Sequence, residues 1–292
     1  MVTESSPEGA LRPPHRILNR NQVHRLATEH LQAHLKFKDY KKKTSAQFLW
    51  SLLLAAAARI PSLSDACQRL DEAPSDETAR QALMATLPNS ATLQRQFNAT
   101  LAGHLPTVLR TRLQRLAIDL TLIPYPGKPL RDPEEIDRGQ AQDGTSHFHA
   151  SATADVVRHG PRYTVALTGV KKSEPLKAVV QRLLRQAARV GVRPRLLLLD
   201  RGFYRVAGVR YLEAARYPFL MPVVCPGRSP QQRGGPSGSS VFRTWKKSGW
   251  STYTLADAKK RPATVSIGVK CRNYRGQWKR HRRQALISAY GG

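Results

Sequence analysis

Residues 196–204 read Leu-Leu-Leu-Leu-Asp-Arg-Gly-Phe-Tyr. Four consecutive apolar residues ending on a carboxylate, then a glycine and an amphipathic stretch, describe a buried strand that delivers one acid to the carboxyl edge of a sheet. Asp200 is therefore the first candidate for chemistry. On shape alone a simpler reading stands ahead of it: Asp200 opens a strand-to-helix turn, with Gly202 supplying the backbone freedom. Only a second acid in a matching place would favour chemistry.

Such an acid exists. Residues 116–123, Leu-Ala-Ile-Asp-Leu-Thr-Leu-Ile, form a β-rich run with Asp119 in its middle, followed by a Pro-Tyr-Pro-Gly sequence that must leave a sheet. A carboxylate inside an apolar strand is costly unless it is paired or binds a metal. Asp119 thus holds a metal, faces a polar edge, or pairs with one of the many arginines. Between the two acids, residues 147–157 and 162–168 read as hairpin strands around His159-Gly160-Pro161. A helix follows, capped by Ser173, with Leu176, Val179, Val180, Leu183, Leu184 and Ala187 on one face and Gly191 in the C-terminal turn. After the strand ending at Asp200 come a helix over 206–216 and a buried strand over 218–224. The order is strand, hairpin, helix, strand, helix, strand, an α/β sheet in which the first strand neighbours the one after the crossover helix. Asp119 and Asp200, 81 positions apart, then project near one edge of that sheet.

The flanking segments differ in kind. Residues 1–16 hold acids, prolines and a glycine without an apolar core, which predicts a disordered start and no secretory signal. Residues 17–115 follow helical periodicity. Asn19 or Asn21 caps a first helix that runs into Lys36, Lys38, Lys41, Lys42 and Lys43, and Thr44 caps the next; Ser62 or Ser64, and then Ser75, open two more. A break at Pro88-Asn89-Ser90 precedes a helix over 91–105. This pair resembles a helix-turn-helix whose outward set Gln94, Arg95 and Asn98 could read base edges, although ordinary bundle packing makes the same pattern. The acid-rich stretch 128–144 reads as a solvated loop. His147 and His149 share a strand face, without a third metal ligand. Residues 225–292 carry fifteen lysines and arginines against Asp257 alone, with short β-like runs at 252–255, 263–271 and 284–290. They read as a basic β-rich insertion or appendage. Trp245, Trp250 and Trp278 are either stacking residues or, for two of the three, its core.

Charge narrows the partner. Against 20 acids stand 48 lysines and arginines, a net charge of +28, spread along the chain rather than gathered in a tail. That implies a folded surface tracking a phosphate backbone, with nucleic acid favoured over a membrane. Arg201, Lys246, Lys247, Arg280, Arg282 and Arg283 are the candidate contacts beside the helical set. Cys67, Cys225 and Cys271 are odd in number and far apart, so neither disulfides nor zinc are indicated. The longest apolar run, near residues 48–58, is shorter than the ~20 residues a membrane span requires. The expected setting is cytoplasmic and nucleoid-associated. Two carboxylates suit Mg²⁺ or Mn²⁺, and two such ions ~3.5–4 Å apart stabilise both oxygens of an in-line displacement at phosphorus.

The runs Ile118-Asp119-Leu120-Thr121, Gly144-Thr145-Ser146-His147-Phe148-His149-Ala150 and Leu199-Asp200-Arg201-Gly202-Phe203-Tyr204, with Pro218-Phe219-Leu220-Met221-Pro222 behind them, resemble the DDE transposases of prokaryotic insertion sequences. The likeness runs in order over residues 17–290. It implies a ribonuclease H-like mixed sheet core over 116–224, with Asp119 and Asp200 as the first two catalytic aspartates and metal ligands. It also implies double-stranded DNA as the partner, two divalent ions, a synaptic homodimer, and nicking at element ends followed by strand transfer to target DNA. The family's third acid is a glutamate in a Tyr-x-x-Arg-x-x-x-Glu pattern, and that pattern does not occur here. Glu213 comes too early and Asp257 lies in the insertion. The expectation is a truncated reading frame with two of three ligands, hence an impaired transposase. The competing reading is a non-catalytic DNA-binding remnant or repressor. A nucleotide-binding enzyme is disfavoured, since no Gly-rich phosphate loop follows any strand.

Overall fold

A computed structural model of the chain describes residues 19–41, 43–59, 62–70, 73–125, 127, 132–142, 144–158, 160–224, 227, 233–256 and 261–270. Two compact units divide between Gln96 and Phe97.

The first unit is helical because short polar caps interrupt apolar-periodic runs. Helix α1 (Arg20–Gln32) starts at Asn19, whose side chain and that of Gln22 each accept the other's backbone N–H, a reciprocal cap. It ends before the lysine run, where like charges at helical spacing would repel. Instead, Tyr40 and Thr44 form an isolated bridge. Thr44 is buried. Thr44 does not cap α2 (Ala46–Arg59), since its Oγ1 makes no hydrogen bond among the described residues; instead Asp39 accepts from the Ala46 N–H at 2.8 Å and Ser45 from that of Phe48 at 3.1 Å. Ser62 caps α3 (Leu63–Gln68) and Ser75 caps α4 (Asp76–Thr86), as read from sequence. Asn89 accepts from Thr92 at the start of α5 (Ser90–Gly103). Leu49, Leu52, Ala79 and Ala82 are fully buried, and Phe37 meets Trp50 edge-on at 4.8 Å.

The second unit is a mixed sheet with helices. It begins earlier than the change of period at residue 116, because Leu105 and Leu109, the latter on the short helix α6 (Val108–Thr111), share one core with the strands. Strand β1 (Gln114–Pro124) is central. The stretch read as a loop folds into a turn over Pro133–Glu135 and a strand, β2 (Ile136–Gln142). Its partner is the long strand β3 (Thr145–Val157), which also pairs with β1, both antiparallel. Of the described β2 side chains only Ile136 is buried; a polar edge strand shows little period-2 signal. Strand β4 (Arg162–Gly169) extends the same edge of β3. Helix α7 (Leu176–Arg189) crosses over to β5 (Pro194–Leu199), which lies parallel to β1 as the order of elements required. Ser173 does not cap α7: it sits two residues outside at φ 56°, and Pro175 is the cap residue. Helix α8 (Val206–Ala214) leads to the two-residue strand β6 (Phe219–Leu220), parallel to β5 and much shorter than the apolar run 218–224. The sheet order is β4-β3-β1-β5-β6, with β2 also on β3.

One face of this sheet is the core. Leu116 and Ile118 of β1, Ala152, Ala154 and Val156 of β3, and Leu197 and Leu199 of β5 are buried with the apolar stripe of α7 and with Val209 and Leu212 of α8. The opposite face of β1 carries Arg115, Asp119 and Thr121, all exposed. The basic segment adds a turn over Gly238–Thr244 and an antiparallel hairpin, β7 (Gly249–Ala256) with β8 (Pro262–Val269). Ala263, Val265, Ile267 and Val269 place one face of that hairpin in the same core. Trp245 packs partly buried against it and meets Phe242 at 5.5 Å, whereas Trp250 is 60% exposed. The runs from 271 onward, including Trp278 and 284–290, lie outside the described residues.

Candidate functional site

Asp119 and Asp200 are brought together by strand register. Ile118 pairs with Leu199 in the parallel β1–β5 ladder, so the two acids each stand one residue beyond a paired position on neighbouring strands, whose backbones run about 4.8 Å apart. Both are exposed. Asp119 therefore carries no burial penalty of the kind its apolar neighbours suggested. Alternation along β1 turns it away from the core, and its Oδ1 accepts the Leu120 N–H at 2.9 Å. Asp200 continues the extended backbone of β5 and caps the turn Arg201–Phe203, its Oδ2 accepting from Gly202 at 3.4 Å. The turn role and a ligand role are compatible, since that bond leaves acceptor sites on both oxygens. Two exposed carboxylates fit a hard divalent ion in kind. Among the described residues no group of three or more His, Cys, Asp or Glu could hold a metal. Glu213 is half-buried on α8, where burial pushes its carboxyl pKa up.

Sequence reasoning missed Asp155. It lies on the Asp119 face of the sheet, since Asp119 pairs with Thr153 and Ala117 with Asp155. The residue is 2% exposed and fully engaged: Thr164 Oγ1 donates to Oδ1 at 2.6 Å, while Thr153 Oγ1 (2.9 Å) and Arg162 (2.7 Å) donate to Oδ2. The hydrogen bond it donates to Asp155 makes the Arg162 guanidinium hold its proton more tightly than usual, and the Asp119 charge adds a smaller pull. The signal was there in Ala-Asp-Val, an acid in an apolar strand like Asp119.

The other predicted residues divide. Arg201, Lys246 and Lys247 are exposed; Arg280, Arg282 and Arg283 lie outside the described residues. Arg95 is exposed and donates to Thr92 at 3.0 Å, and Gln94 is half-buried. Asn98 does not belong to an outward set. It is 5% exposed, and its amide both donates to the Leu167 carbonyl (2.8 Å) and accepts the Leu167 N–H (2.9 Å), fastening α5 to β4. His149 meets the Tyr125 ring at 4.7 Å, tilted by 56°. A cleft of about 600 Å³ opens beside Leu199, lined by Leu198, Leu220, Met221, Trp250 and Lys270. Its lining is mainly apolar and includes neither Asp119 nor Asp200. No described helix is long and apolar enough to cross a membrane. Comparison with known proteins adds no constraint: no family model and no curated protein matches the chain.

Proposed function

We propose that the chain is a DNA transposase of the DDE class, built on a ribonuclease H-like core and impaired in phosphoryl transfer. The observation that carries the reading is the juxtaposition of Asp119 and Asp200 at adjacent positions of parallel strands. The strand order β4-β3-β1-β5-β6, three antiparallel strands followed by two reached through α7 and α8, supports it, as does a net charge of +28 suited to a polyanion. Asp119 and Asp200 would hold Mg²⁺ or Mn²⁺, which when bound supplies Lewis-acid stabilisation of the oxygens at phosphorus. Exposed cations such as Arg201, Lys246 and Lys247 would keep the DNA strand against a pair of carboxylates that alone would repel it. With only two acids brought together among the described residues, the expected chemistry is slow cleavage.

The alternative is a non-catalytic DNA-binding remnant or repressor that keeps the sheet as scaffold, favoured by the lack of a three-acid group among the described residues. Calorimetric titration of Mn²⁺ into the parent chain, Asp119→Ala and Asp200→Ala separates the two. The transposase reading expects measurable Mn²⁺ binding lost in both variants, with folding intact. Equal metal and DNA binding by all three proteins leaves the remnant. Brisk Mg²⁺-dependent cleavage of element-end DNA by the parent would show that a further acid completes the site.

A further inference from the structure

The Asp155–Arg162 pair is built for more than closing a hairpin. Asp155 is nearly inaccessible, yet the guanidinium it holds is largely in solvent, the side chains being 3% and 57% exposed. The Arg162 guanidinium makes one hydrogen bond among the described residues, to Asp155, out of the five donors it carries. Thr153 donates to the same carboxylate oxygen and lies directly across from Asp119 in the β1–β3 ladder. Asp119, Thr153, Asp155 and Arg162 therefore share one face of the sheet: the row of Asp155 is two residues, ~7 Å, from that of Asp119, and Arg162, paired with Val157 one same-face row further on, reaches back to Asp155. Arg115, also exposed, continues the same face of β1. A forked cation held by a buried carboxylate on the Asp119 face offers bidentate geometry to a phosphate that a mobile lysine does not.

We propose that Arg162, oriented by Asp155, seats a phosphodiester of a bound DNA strand beside Asp119. Arg162 is the contact; Asp155 is a positioning residue that acts through it. The inference rests on the DNA-binding reading above and adds the place where one backbone phosphate is held.

The test is anisotropy titration of a labelled 20-base-pair duplex with the full chain at several salt concentrations. Parent, Arg162→Ala, Arg162→Lys, Asp155→Asn and Arg189→Ala are compared, with the folded fraction of each taken from its thermal melt. Arg189, exposed on α7, controls for simple loss of charge. Arg162→Ala should weaken binding about tenfold and lower the salt slope by about 0.9, one phosphate contact, against no more than about twofold for Arg189→Ala. Arg162→Lys should restore the slope but only part of the affinity. Asp155→Asn is decisive, because removing a negative charge should tighten DNA binding by electrostatics alone; the proposal expects it to weaken about threefold. Asp155→Asn binding as tightly as the parent or tighter, or Arg162→Ala no worse than Arg189→Ala, would overturn the proposal and leave the DNA-binding reading intact. No salt-sensitive binding by the parent would overturn both.

Discussion

Single residues show how far side-chain chemistry can be assigned before neighbours are known. Asn98 has base-reading chemistry, but its amide matches the backbone of an edge strand equally well, and burial commits it to Leu167. Asn98→Ala should therefore destabilise the protein by about 2 kcal/mol in urea denaturation, because it strands two backbone groups, with DNA affinity per folded molecule unchanged. A normal midpoint with weakened DNA binding would return Asn98 to the interface. Two glutamates give opposite pH signatures. Glu174 is bonded to Arg182, which holds its carboxyl below the usual range, so its stabilisation is present above the unfolded value and fades as pH falls through the lower folded one. Glu174→Gln should cost about 1–2 kcal/mol at pH 7 and progressively less below about pH 4. Glu213 has its folded pKa raised by burial, so ionising it works against folding. Glu213→Gln should stabilise at pH 7, by up to about 0.5 kcal/mol, and make no difference once pH falls below about 4. Melting curves of both variants at pH 3.5, 5 and 7 check the two signs.

Elements were legible where one physical signal dominated. The α7 stripe is unambiguous at helical spacing, and Val179, Val180, Leu183, Leu184 and Ala187 are all buried. Gly191 takes φ 81° after the helix, the left-handed conformation expected of a terminating glycine. Leu183→Ala should cost about 2–5 kcal/mol by equilibrium unfolding, since the residue is fully buried in the common core; a loss under 1 kcal/mol would place α7 outside the cooperative unit. Strand β2 was not legible because its hydrogen bonds to β3, rather than apolar alternation, make it a strand. The short β6 illustrates the converse: the apolar run 218–224 promised a full strand, but pairing with β5 involves only Phe219 and Leu220.

At the scale of the whole molecule, charge and topology act separately. The +28 charge says nothing of the fold, but it sets how any DNA complex responds to salt. Affinity for duplex DNA should fall at least ~10³-fold between 50 and 200 mM salt, the response to six or more phosphate contacts; a fall below tenfold would mean that the cations do not converge on one surface. Topology fixes the site. An 81-residue separation becomes adjacency because the crossover through α7 lays β5 parallel to β1 with Ile118 opposite Leu199.

By itself, the sequence determined the α/β character, the helical cap at Ser75, the α7 stripe, and β1 and β5 as neighbours bringing Asp119 and Asp200 to one edge, while it narrowed two other caps to Asn19 or Asn21 and Ser62 or Ser64. These rest on local periodicity or on chain-connection rules, both of which can be read along one dimension. Tertiary structure alone decided that Asp119 faces away from the core, that Asp155 is buried and holds Arg162, that Asn98 is spent on β4, and that the sheet's unit begins at Phe97. Asp119, Asp155 and Arg162 depend on which strand lies across from which and in what register, and a one-residue slip would turn their side chains to the other face, whereas Asn98 depends on α5 meeting the edge of β4.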